Sequence, residues 1–360
     1  MSTNFIISLV SGFLSFIIPP LLYKFSPQSS APFNNQPKNR LFLPILISIF
    51  IICGVNYFIC FDNKDFLTSF TLIEFSTPFA LTGLLFFISQ LNKTSKYFTF
   101  CLALASIAAS FSIPADSIAA ILPLPAYLNQ LLIIVAWFLF SYIYRYANNG
   151  SATLGIQSAA IAFGIAILGM VNAIPFFLAL IALIFGTAFT ALAGIMWPPA
   201  KNNISDNVAS CAGFIIFALI AWAATENAIS CAITFSMLFI IDFIWAAILR
   251  LTFIEQYSNI KNNTAYQEAL SAGFSAQLAT SFLCRAQIII VLLGVFQAYS
   301  NQPHSLLLFS VFITIWLLYK LRNLSLETKS LKDINKEVIA DIQDRINDVK
   351  QYIDKDDNQQ

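Results

Sequence analysis

Six residues in the polar stretches of this chain carry groups suited to phosphate and cation chemistry: Asp206, Lys38, Lys93, Asn149, Lys201 and Lys261. A carboxylate such as Asp206 offers oxygen to a hard divalent cation. Lysines act as point charges against phosphates, and a neutral amide such as Asn149 can bond a sugar or a base without adding charge. Such a set fits phosphoryl transfer, or the binding of a phosphorylated ligand, where positioning and charge neutralisation dominate. Asp206 also has a second reading. It follows a Pro-Pro turn at the start of an apolar run, where an acidic residue caps a helix and meets the positive end of its dipole.

The elements that must position these residues are membrane spans. With 58% hydrophobic residues, 36 Phe, a mean hydropathy of +0.75 and only 10% charged residues, the chain is too apolar for a soluble protein. About 20 apolar residues cross a bilayer as a helix. Runs of that kind cover roughly 5–23, 41–61, 68–91, 97–114, 127–146, 152–171, 174–196, 207–224, 228–249, 276–298 and 304–320. The reading is an all-α, polytopic bundle of about eleven spans over residues 1–320, with a helical tail over 321–360. The first run has no basic residue ahead of it and reads as a retained span. Basic residues of short loops favour the cytosol. An N-terminus outside puts Lys24, Lys38, Arg40, Lys93, Lys96, Arg145, Lys201, Arg250, Lys261, Lys320 and Arg322 there, with the C-terminus, and leaves only Lys64 outside. The six cysteines lie in or beside apolar runs without a C-x-x-C pair and read as small buried hydrophobes.

Five polar loops then fall on the cytosolic side. Trp197-Pro198-Pro199-Ala200-Lys201 through Asp206 resembles the W-P-P-A-K-x-F-x-G-D-x-G-S loop of bacterial polyprenyl-phosphate sugar-1-phosphate transferases, the glycosyltransferase family 4 superfamily that includes the phospho-N-acetylmuramoyl-pentapeptide transferases. Ser29, Ser30, Pro37 and Lys38 are similar to its S-S-H-x-x-P-x-P-R-G-G-G loop, with Ala31 at the histidine. Pro78 through Lys93 is similar to its G-L-x-[DE]-D-x-x-K helix end, but Phe86 and Phe87 stand at the acidic pair. Asn149, Gly150 and Leu154 align with N-x-x-D-G-x-[DN]-G-L, and Ala265-Tyr266-Gln267 with the end of H-R-x-H-x-Y-Q, where Lys261 and Thr264 replace the histidines. The chain's one histidine, His304, falls on the outer side, which leaves no cytosolic imidazole as general base.

The resemblance implies transfer of a sugar-1-phosphate from a UDP-N-acetylhexosamine to undecaprenyl phosphate, with magnesium, in cell-envelope polysaccharide synthesis at the bacterial inner membrane. It would assign Asp206 to catalysis and metal binding, and Lys38, Lys93, Asn149, Lys201 and Lys261 to substrate. Because phenyl rings at 86 and 87 cannot ligate magnesium, the expectation is a non-catalytic binding or assembly member. The alternatives are an active transferase with an altered metal site and a small-solute or lipid transporter. The last is prompted by Glu74 and Arg285 inside apolar runs, where charges pair or line a cavity; Arg285 would face Glu74 or Asp242. The bilayer is the expected surroundings, and nucleic acid is not an expected partner.

The tail is independent of the resemblance. Leu331, Ile334, Val338, Ile342, Ile346, Val349 and Ile353 recur every three or four residues, one stripe of an amphipathic helix. It suits pairing with a second copy or a partner helix, and equally docking on the cytosolic loops.

Overall fold

A computed structural model describes residues 72–91, 95–114, 125–147, 152–198, 204–252, 264–300 and 306–323. Within them the chain is helical and without strands: α1 Leu72–Leu91, α2 Ser95–Ser110, α3 Ala126–Ile143 with a 3-10 turn Tyr144–Ala147, α4 Thr153–Met170, α5 Phe176–Ile195, α6 Asp206–Thr225, α7 Ile229–Thr252, α8 Ala265–Ser271, α9 Ala276–Tyr299 and α10 Leu306–Asn323. Seven of these, α3 to α7, α9 and α10, are long and apolar enough to cross a membrane. Helix is the required form there, because hydrocarbon offers backbone groups no outside partner. The runs at 5–23 and 41–61 and the tail stripe from Leu331 to Ile353 lie outside the described residues.

α6 is the axis of the bundle. It is buried from Val208 to Ala224 on nearly every side, and α1, α3, α4, α5 and α7 pack around it. Small residues let the backbones close up, as helix packing in lipid requires. α4 and α5 form the tightest pair: a Cβ on Gly155 would lie 2.7 Å from the backbone nitrogen of Ala193, and one on Gly169 would overlap the methyl of Ala179. Phe235 of α7 seats its ring between Gly164 of α4 and Gly294 of α9. A second, smaller core joins Leu238 of α7 to Tyr266 of α8, Leu283 of α9 and Leu318 of α10.

Polar side chains tie these helices internally. Thr234 donates to Gln297 at 2.9 Å, Gln297 donates to Ser310 at 3.0 Å, and the Trp137 indole donates to the Phe214 carbonyl at 3.1 Å. The α4–α5 and α6–α7 links close with Asn172 and Asn227 at φ 58° and 60°, left-handed positions that asparagine tolerates. In each, the two amides after the helix bond back to its last turn: Asn172 to Gly169 and Ala173 to Leu168, then Asn227 to Ala224 and Ala228 to Ala223.

Successive spans run antiparallel, so the end of α3 and the starts of α4 and α6 share one side with α8 and the end of α10. Arg145, Arg250, Lys320 and Arg322 all belong to it, and we call it the basic side. In a background lacking the six native cysteines, cysteines at Asp206 and Arg250 will react with an impermeant maleimide from one side of the membrane, and cysteines at Met170 and Asn227 from the other. A shared side for all four would overturn this arrangement.

Candidate functional site

On the basic side, the start of α6 is built by Ser205. Its hydroxyl accepts from the Val208 amide at 3.4 Å, which makes Ser205 the cap and Asp206 the first helical residue. Asp206 is exposed there, and its carboxylate sits favourably at the positive end of the helix dipole. The neighbouring Asn207 accepts from the Arg145 guanidinium at 3.2 Å, and Arg145 also covers the Tyr142 ring at 4.7 Å. The end of α3 is thus joined to the start of α6. Tyr144, fully buried, shares a short hydrogen bond with Ser158 and brings in α4.

Phe86 and Phe87 take opposite positions on α1. Phe86 is 6% exposed and belongs to the main core, while Phe87 is 60% exposed. α1 packs on α6, so this apolar helix end belongs to the same half of the bundle as Asp206. Lys38, Lys93, Asn149, Lys201 and Lys261 lie outside the described residues. Among the described residues no three His, Cys, Asp or Glu side chains gather as a metal cluster.

A second polar centre lies where α7, α8 and α10 meet, and it was not foreseen. Arg322 donates to Asp242 at 3.0 Å and to Glu268 through a shorter contact, with side chains only 8%, 15% and 24% exposed. Its guanidinium also lies 5.5 Å from the Trp245 ring. Asp242 has a further task. Thr264 makes no side-chain cap, and the Asp242 carboxylate accepts from the Ala265 amide at 3.0 and 3.3 Å, so the α8 N-terminus is capped from another helix. Asp242 is therefore engaged by Arg322, and Arg285 of α9 is exposed. Burial pushes the Glu268 carboxyl above the usual carboxylate range, and the Arg322 charge draws it partly back. Sequence reading missed this centre. A hint was available in the two charges, Asp242 and Arg322, at the ends of apolar runs.

Behind Asp242 lies a cavity of about 20 Å³, lined by Tyr146, Thr153, Gln157, Thr264 and Tyr266 among others. Tyr266, in the segment aligned with the family signature, is 2% exposed and packed in the smaller core. A larger apolar recess of about 400 Å³ lies between α3, α6 and α7, lined by residues such as Leu132, Phe140, Phe217 and Ile233.

Fold and site define the class: a multi-pass helical membrane protein with seven membrane-length apolar helices among the described residues. A scan against protein-family models gives no match, and a search of the curated proteins gives none either.

Proposed function

We propose that this chain is a bacterial inner-membrane relative of the polyprenyl-phosphate sugar-1-phosphate transferases, of about eleven spans with the basic side in the cytosol, that binds a lipid phosphate or UDP-sugar without transferring the sugar. The support for membership is the order and spacing of the five loops. The observation that carries the loss of chemistry is Phe86: the position aligned with a metal carboxylate is a phenyl ring packed into the core. Phosphoryl transfer between two anionic substrates needs their charge neutralised, and one exposed carboxylate, Asp206, is a poor magnesium holder when phenylalanines stand at the aligned acidic positions. Residues that neutralise phosphate without metal remain in the sequence at Lys38, Lys93, Lys201 and Lys261, with Asn149 as an uncharged partner.

Purified protein given UDP-N-acetylglucosamine, undecaprenyl phosphate and magnesium will release UMP no faster than a protein-free blank. Undecaprenyl phosphate alone will raise its thermal midpoint, and replacement of Lys201 and Lys261 by alanine will reduce that rise. UMP release that vanishes in Asp206→Asn would show an active transferase. No thermal response to either ligand would remove the binding role.

A further inference from the structure

We infer that the cavity behind Asp242 is a site for a monovalent, sodium-sized cation. Thr153, Thr264 and Tyr266 of its lining fall in segments aligned with the transferases, but nothing in the argument depends on that alignment. The first observation is charge. Asp242 and Glu268 share one Arg322, so these three groups carry a net negative charge when both carboxylates are ionised. Uncompensated charge out of water is expensive, and a small cation removes it. The nearby Arg145 is turned away, with its guanidinium on Asn207 and the Tyr142 ring.

The second observation is Gln157. It is 8% exposed, lines the cavity, and its side-chain carbonyl oxygen has no hydrogen-bond partner. A buried amide oxygen without a donor costs about 1–3 kcal/mol, a cost that a cation bound opposite it would remove. Oxygen-bearing side chains are also among the lining residues, namely Thr153, Thr264, Tyr146, Tyr266 and Asp242. Leu238, Phe239, Phe243, Leu283 and Leu318 form the apolar part of the wall. A hydroxyl that donates its proton elsewhere keeps lone pairs for a cation. Hard cations bind oxygen ligands of this type. The volume of about 20 Å³ is enough for one water-sized species.

The test uses the full chain in detergent, with thermal midpoints measured in sodium, potassium or N-methylglucamine chloride at constant ionic strength. Sodium will raise the midpoint saturably over both others. The half-saturating concentration will rise at least tenfold in Thr153→Val and in Gln157→Leu, and will stay the same or fall in Gln157→Glu. If either deletion variant fails to fold, sodium-23 relaxation on the wild-type protein, competed with potassium, reads the same occupancy. Equal midpoints in all three salts would mean an ordered water only. Potassium matching sodium, or a sodium effect indifferent to both deletion variants, would equally overturn the assignment.

Discussion

Arg322→Met will lower the stability of the bundle by about 3–5 kcal/mol, the range for removing one partner from a buried ion pair. The cause is what remains. Asp242 and Glu268 would lose the guanidinium they share, and Asp242 would still be held by the Ala265 amide at the start of α8. For a chain of this size the midpoint should fall by roughly 5 °C. The triple variant Arg322→Met, Asp242→Asn, Glu268→Gln should recover most of the loss, since a neutral cluster of similar shape has no uncompensated charge. Thermal unfolding read by light scattering and size-exclusion profile measures both. A single variant as stable as the wild type would mean that the trio is solvated and contributes little, as surface pairs do.

The other large effect should come from Gly155→Leu. A side chain there meets backbone of α5 at Ala193, which cannot swing aside as a flexible side chain would, so α4 and α5 must separate. Overpacking of this kind costs about 1–3 kcal/mol, and the loss of close contact along the rest of the pair adds to it. Gly194→Leu is the control on the opposing helix, because a Cβ there meets nothing within 4 Å. The expected result is a lower midpoint for Gly155→Leu and little change for Gly194→Leu. Equal behaviour of the two would refute the tight α4–α5 packing.

The spans were legible because a bilayer imposes a length and a hydrogen-bonding rule that composition reveals directly. The apolar runs at 207–224 and 276–298 became α6, Asp206–Thr225, and α9, Ala276–Tyr299, with differences of a residue or so at the ends. Serine before each run did the capping, through Ser205 and Ser275. The ion trio was not legible. Asp242, Glu268 and Arg322 are brought together by the packing of α7, α8 and α10, and nothing in their spacing encodes it. The cost of a charge inside an apolar run suggested Arg285 as a partner for Asp242. Gln157 was hidden for a similar reason: one amide inside an apolar run reads as an ordinary polar substitution until the wall it faces is known. Apolar positions at Phe86 and Phe87 could be read as lost ligands, yet only the fold separates the packed ring from the exposed one.

The two turns closed by Asn172 and Asn227 have a bearing on how the protein behaves in a fluid bilayer. Residues 171–175 and 226–228 are all that join α4 to α5 and α6 to α7. At no more than about 3.5 Å per residue, these tethers hold the helix ends within roughly 20 Å and 15 Å of each other even when pulled straight. Each partner therefore meets the other at a very high effective concentration, and association becomes an intramolecular event without the entropy loss of a search through the membrane. Lipid molecules compete poorly for a surface so tethered. A thermally loosened bundle should re-zip hairpin by hairpin, with α4–α5 and α6–α7 as the units that survive longest.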